Sequence, residues 1–197
     1  MAPPSCVLFG VMAEGPIWLV GMMGAGKSAV GPRLARRLGR SFHDTDVEIE
    51  RAAGASISEI FASEGEPAFR DRERRVIEDS LGGNPVVALG GGAIAQPGIA
   101  DRLARAGAIV YLKAASRTLL DRLGDCSGRP LLSEIAPEAR LAKLEALLAE
   151  RELAYSSAAI EVSTDGRTID AVVEEICLRL DSADEERESA VETREHA

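Results

Sequence analysis

The stretch Gly21-Met22-Met23-Gly24-Ala25-Gly26-Lys27-Ser28 constrains this chain more than any other. It carries the pattern G-x-x-x-x-G-K-[ST] and directly follows the apolar run Ile17-Trp18-Leu19-Val20. Between a buried strand and a helix start, such a pattern makes an anion cradle. Glycines let successive backbone N–H groups turn inward, and the positive end of the helix adds to their field. Gly24, Ala25, Gly26, Lys27, Ser28 and Ala29 are the candidate phosphate contacts. Lys27 is placed to reach β- and γ-phosphates, and the Ser28 hydroxyl to ligate Mg²⁺. A glycine-rich turn with no ligand would require neither that lysine nor that hydroxyl. The chain reads as a nucleotide-binding protein.

Beyond this motif the chain alternates between helix and strand. Apolar positions Val30, Leu34, Ala35 and Leu38 recur at helical spacing and Gly39 closes the run. Pro32 falls in the first turns, where a missing N–H is tolerated. Ser41 to Asp44 reads as a second strand, and Val47 to Ala53 as a brief helix closed by Gly54. Ser56 and Glu59 form a capping box ahead of Ile60 and Phe61. Glu66 to Leu81 reads as a long charged helix with the stripe Phe69, Val76, Ile77 and Leu81. Pro85 to Leu89 is continuously apolar, as a strand buried on both faces should be. Then come a helix over 99–106, a strand over 108–112, a helix over 116–123 capped by Ser116, and a loop over 124–137. A helix over 138–155, a strand over 159–162 and a helix over 168–180 complete the pattern. Alternation of this kind implies a parallel sheet covered on both faces, with ligands beyond the carboxyl ends of its strands. The phosphate loop, Asp44–Asp46 and Gly90–Gly92 all fall at such ends.

Composition excludes several classes. The 197 residues suit one domain, expected over 16–180, with a poorly ordered leader over 1–15. The net charge of −9 argues against a basic surface for nucleic acid. Cys6, Cys126 and Cys177 are scattered, without disulfide or metal spacing, which fits a reducing compartment and a cytoplasmic protein. No apolar run reaches the ~18 residues of a membrane span. Residues 181–197 hold seven acidic and two basic side chains and are expected to form a disordered, solvating tail.

Three further groups of residues carry chemistry. Asp44 and Asp46 share one strand end. A P-loop enzyme commonly holds Mg²⁺ with an aspartate on a neighbouring strand, so Asp44 is the candidate for the metal's outer shell. Asp46, further out, is placed to accept a proton from an attacking hydroxyl or to hold that hydroxyl. The plainer alternative is an Asx turn capping the next helix. Among the arginines, Arg70, Arg129 and Arg151 stand out, and Arg129 lies in a loop of lid length; lids over phosphate sites often supply an arginine. Arg72, Arg74 and Arg75 read as a charged helix face alongside Glu73 and Glu78. Gly90, Gly91 and Gly92 at a strand end favour close approach of a ligand to backbone.

Taken together, the ordered set resembles shikimate kinase. The resemblance rests on Gly21–Ser28, Asp44-Thr45-Asp46, Ile60-Phe61 with Pro67-Ala68-Phe69-Arg70, Gly90-Gly91-Gly92, Arg129-Pro130-Leu131-Leu132 and Arg151-x-x-x-Tyr155, and covers residues 16–180. It implies a three-layer α/β/α fold, a five-stranded parallel sheet of the P-loop, nucleoside monophosphate kinase-like type with a mobile lid over 124–137. It implies ATP and shikimate as small-molecule substrates, Mg²⁺ as cofactor, and transfer to the 3-hydroxyl of shikimate in the chorismate pathway. Lys27, Asp46 and Arg129 would be catalytic. Asp46, Arg70, Gly90, Gly91, Gly92 and Arg151 would bind shikimate, with Arg122, Arg129 and Arg167 on the nucleotide side. Neither a nucleic-acid nor a membrane partner is expected, and the protein is expected to be a monomer. A gluconate or nucleoside monophosphate kinase is the nearest rival. A GTPase switch would want an N-K-x-D motif, which the sequence lacks.

Overall fold

The computed structural model describes residues 15–126 and 129–195. The leader through residue 14, and residues 127–128 of the lid stretch, lie outside the described residues. Five parallel strands form one sheet in the order β2-β3-β1-β4-β5, where β1 is Ile17–Val20, β2 Phe42–Asp44, β3 Val86–Ala88, β4 Ala108–Lys113 and β5 Ile160–Ser163. Ile17 pairs with Val86 on one side and Ala108 on the other. The central strands are apolar throughout because each face has its own core. Ile17, Leu19, Val110 and Leu112 point to one, and Trp18, Val20, Ile109 and Tyr111 to the other. This is the alternation a pleated strand imposes when both sides are covered.

Helix α1 (Lys27–Leu38) and helix α8 (Ile169–Glu195) cover the first face, through Val30 and Leu34 and through Val172 and Ile176. On the second face lie Ile77 of helix α3 (Ile57–Asp79), Ile99 and Leu103 of helix α4 (Ile99–Ala106), and Tyr155 of the later helix α7 (Arg140–Tyr155). Helix α2 (Thr45–Ala53) packs on α3 around Ile49, Ile60 and Phe69, a small separate core beside the sheet edge. Helix α5 (Ser116–Leu123) precedes the stretch 124–137, within which lies the one-turn helix α6 (Pro130–Ser133).

Several expectations are corrected by the packing. The stretch 181–195 continues α8 as helix instead of forming a disordered tail. It is rich in Glu, Arg and Ala, which are strong helix formers, and it extends a helix already anchored on the core, so the unfavourable nucleation step is avoided. The charged helix begins at Ile57, behind the capping box of Ser56 and Glu59, and kinks at Gly65 (φ 81°) before Pro67 instead of starting at Glu66. The lid stretch is not all loop, since it holds α6 and a turn of 3₁₀ helix at Pro137–Ala139. Ser116 is the first residue of α5, not its cap. The Asp165 carboxylate, from beyond β5, accepts from the Ala115 N–H at 3.0 Å instead. Pro32 lies past the free N–H groups of α1, because Val30 N–H already donates to Gly26; its missing N–H is the one that would have met the Ser28 carbonyl.

Candidate active site

The site is built where β1, β2 and β3 end. After β1 the chain turns through Gly24 (φ 82°) and Gly26 (φ 100°), conformations that L side chains rarely adopt. The first turn of α1 therefore opens with its N–H groups at the hollow of the loop. Lys27 is folded across that hollow, its Nζ donating to the carbonyls of Gly21 at 2.7 Å and Met22 at 3.1 Å. Burial pulls its ammonium down to about 8, although the carboxylates of Asp46 and Asp44 oppose the shift.

At the end of β2, Asp44 serves two partners. Its Oδ1 accepts from the Asp46 N–H at 3.1 Å and so caps α2, while its Oδ2 accepts from the Ser28 hydroxyl at 2.6 Å. Both the capping alternative and the pairing with the phosphate loop are thus realised by one side chain. A hydroxyl and a carboxylate oxygen side by side form the hard oxygen donor set that suits Mg²⁺, which takes few protein ligands beside phosphate oxygens and water. Among the described residues no group of three or more His, Cys, Asp or Glu side chains could hold a metal by itself.

Asp46, the second residue of α2, lines the cleft. Its Oδ1 is buried without a hydrogen-bond partner. Burial raises its carboxyl above the ordinary range, and the Lys27 ammonium works against that shift. Close by, Glu73 of α3 is fully buried. Its Oε2 accepts from Arg70 Nη1 and Gln96 Nε2, each at 2.7 Å, and its Oε1 has no partner. Burial raises this carboxyl too, with the Arg70 guanidinium opposing.

The glycine run after β3 is explained by what surrounds it. A Cβ on Gly90 would collide with Glu73 Oε1 and stand 2.8 Å from Asp46 Oδ1; one on Gly92 would stand 2.8 Å from Arg70 Nη2. The Gly90 N–H donates to the buried Thr45 hydroxyl at 3.0 Å, which ties β3 to the head of α2. Arg151 of α7 is 8 % exposed and donates to the Gly91 carbonyl at 3.1 Å. Arg70 also donates to Glu66 through Nε and Nη2. Three of its five N–H donors are engaged by these bonds, so a planar partner can still be gripped.

Two clefts adjoin here. One is walled by Ile57, Phe61 and Phe69 and carries Arg70, Glu73 and Arg151. The other holds Gly24, Gly26, Lys27, Ser28 and Asp44. Asp46, Gly91, Met23 and the exposed Arg129 line both. Arg122 lines the phosphate-loop cleft as well as a third surface, where Arg167, Ala25, Ala29 and Val172 join it. Arg122 is held by the carbonyls of Gly24 and Thr164, and Arg167 by Glu175, Ser163 and Ala171.

Sequence reasoning missed Glu73, Thr45 and the role of Tyr155. Glu73 was legible in principle. It stands four residues after Phe69 and four before Ile77, on the buried stripe and not on the solvated face with Arg72 and Arg74. The Tyr155 hydroxyl donates to the Gly91 carbonyl at 2.6 Å, a contact that crosses 64 residues and has no local signal.

A phosphate loop that shares one aspartate and one lid-side arginine with a second, arginine-lined cleft defines a P-loop kinase of small molecules. The sequence profile described as shikimate kinase matches residues 23–181. A shikimate kinase of Chlorobium chlorochromatii is 42% identical over 171 residues, covering 84% of this chain and 90% of that protein. A structure of shikimate kinase from Acinetobacter baumannii in complex with shikimate superposes with a TM-score of 0.79 at 38% identity, covering 88% of this chain and 95% of the other. A gluconokinase from Sinorhizobium meliloti shares the fold alone, with a TM-score of 0.59 at 19% identity over 89% of this chain and 97% of that one. The chain belongs to the shikimate kinase family.

Proposed function

We infer that the protein transfers the γ-phosphoryl group of ATP to the 3-hydroxyl of shikimate, giving shikimate 3-phosphate and ADP on the way to chorismate. The observation that carries this reading is the pair of clefts meeting at Asp46, one built for phosphate and the other presenting Arg70 and Arg151 beside an apolar wall. Two guanidiniums suit the ring's carboxylate, gripped through paired hydrogen bonds, and Ile57, Phe61 and Phe69 suit its apolar face. The unpartnered Oδ1 of Asp46 is the acceptor for the attacking hydroxyl. Backbone of Gly90, Gly91 and Gly92 lines the ring from below.

Phosphoryl transfer passes through a loose transition state, so positioning and neutralisation of charge matter more than a strong base. Lys27 neutralises the β- and γ-phosphates from the loop, and Arg129 approaches the transferring group from the lid. Ser28 and Asp44 would hold Mg²⁺, which would supply positive charge to offset that of the phosphates. Gly24, Ala25, Gly26 and Ala29 supply the backbone cradle, and Arg122 and Arg167 border the adenine. Both clefts come from one chain, in keeping with a monomer, and the scattered cysteines are in keeping with the cytoplasm. Among the described residues no helix is long and apolar enough to cross a membrane.

ADP release from ATP and Mg²⁺ by the purified protein, with and without shikimate, tests the reading. Strong shikimate-dependent release, with gluconate and nucleoside monophosphates inert, is the expected result. Release stimulated by one of those rivals and not by shikimate would overturn the substrate assignment and leave the phosphate site standing.

A further inference from the structure

We propose that Tyr155 is a positioning residue for shikimate, acting through the Gly91 carbonyl to hold the Gly91–Gly92 peptide in one orientation. The proposal rests on the reading that Gly90–Gly92 face the phosphoryl acceptor.

A peptide flanked by two glycines has little steric bias against rotating about its neighbouring torsions, since neither side carries a Cβ. Free rotation would carry the Gly92 N–H, which points opposite to the Gly91 carbonyl across a trans peptide, between the cleft and the protein interior. Two donors prevent this. Arg151 Nη1 reaches the Gly91 carbonyl at 3.1 Å and the Tyr155 hydroxyl reaches it at 2.6 Å. Both donors stand on the same face of α7, one turn apart. They are not equivalent. Arg151 also contacts Met22 Sδ at 3.4 Å and lines the substrate cleft, so its guanidinium is shared with whatever enters there. Tyr155 is fully buried and does not line the cleft. Its ring stacks on Tyr111 of β4, with centroids 4.8 Å apart and planes 13° from parallel. The phenol oxygen also faces the Arg151 guanidinium, but its own proton goes to the Gly91 carbonyl, from a ring whose stacking fixes its direction. Burial pushes the phenol up to about 12, so it stays a neutral donor throughout the working range. When shikimate draws on Arg151, Tyr155 keeps the carbonyl turned away and the Gly92 N–H presented.

The test compares Tyr155→Phe with wild type in steady-state kinetics and in calorimetric titration with shikimate. Wild type must first show shikimate-dependent ADP release; if it does not, the reading of the site fails and not the role of Tyr155. Given that activity, Tyr155→Phe is expected to raise both the KM and the Kd for shikimate about fivefold, the range of one lost buried hydrogen bond, with kcat and the KM for ATP unchanged. Replacing Tyr155 with 4-aminophenylalanine, which restores an N–H donor at the same place, is expected to recover most of that loss. Tyr111→Phe, which keeps the stack, is expected to leave shikimate binding unaltered. If Tyr155→Phe does not fold, 4-fluorophenylalanine at 155 supplies a side chain of tyrosine's size without a donor. A lowered Tm with unchanged shikimate KM would mean that the hydroxyl only packs, and would overturn the proposal. So would equal losses in kcat and in both KM values.

Discussion

At the scale of single residues, the proposed function divides the charged groups between those that would meet phosphate and those that would meet the acceptor. Lys27→Ala and Arg129→Ala remove charge from the transferring group and are expected to lower kcat by on the order of 100-fold or more while leaving the shikimate KM near its original value. Arg151→Ala removes a charged hydrogen-bond partner from the acceptor cleft, and its shikimate KM is expected to rise by about 10- to 100-fold with a smaller change in kcat. Equal effects on both parameters in all three variants would sink the division. Glu73 makes a different case. Burial raises its carboxyl, so the folded state binds its proton more tightly than the unfolded state does. Stability is then lost as pH rises from the ordinary carboxyl range through the raised one, and the loss is complete once both states are ionised. Glu73→Gln removes that cost. Its Tm should exceed wild type at neutral pH, the gap closing as the pH falls through the raised range and down to the ordinary one, while the shikimate KM rises about tenfold because Arg70 loses its anchor. A Tm difference independent of pH would show that Glu73 bears no such cost.

At the scale of elements, the site depends on how closely helices approach strand ends. Gly31 of α1 lets the helix sit on β2, because a Cβ there would run into the Phe42 ring. Phe42 leads within two residues to Asp44, so overpacking at this contact moves the carboxylate that pairs with Ser28. Gly31→Ala is expected to cost ~1–3 kcal/mol in chemical denaturation and to weaken ATP binding more than shikimate binding. A fully stable variant with wild-type ATP affinity would show that α1 and β2 can part without disturbing the loop. Ser56→Ala, by contrast, breaks only the exposed capping box of α3, whose Ser56 Oγ accepts from the Glu59 N–H at 3.2 Å. Its cost is expected to be ~1 kcal/mol with kinetics unchanged, since the kink at Gly65 separates that cap from Arg70 and Glu73.

At the scale of the whole molecule, three strand ends of one sheet present the site, and α8 runs on past Asp181, where the family match ends. Chain truncation after Asp181, where the family match also ends, is expected to leave kcat and both KM values unchanged and to lower the helical circular dichroism signal. Loss of activity on truncation would assign the extension a part in the fold or the site. The alternation of strands and helices, the phosphate loop, the capping box and the glycine stops at Gly39 and Gly54 were readable along the chain, because each depends on residues within a few turns of each other. The family motifs were readable for the same reason. What sequence alone left undecided depends on distance in the chain. Asp44 both caps α2 and meets Ser28; Asp165 caps α5 from across the sheet edge; Glu73 leaves the charged face of its helix to lie under Gly90. Local propensity and periodicity determined which elements form and where they stop. Only tertiary packing decided which carboxylates are buried and which glycines are obligatory, because desolvation and close approach are properties of neighbours brought together by the fold and not of neighbours in sequence.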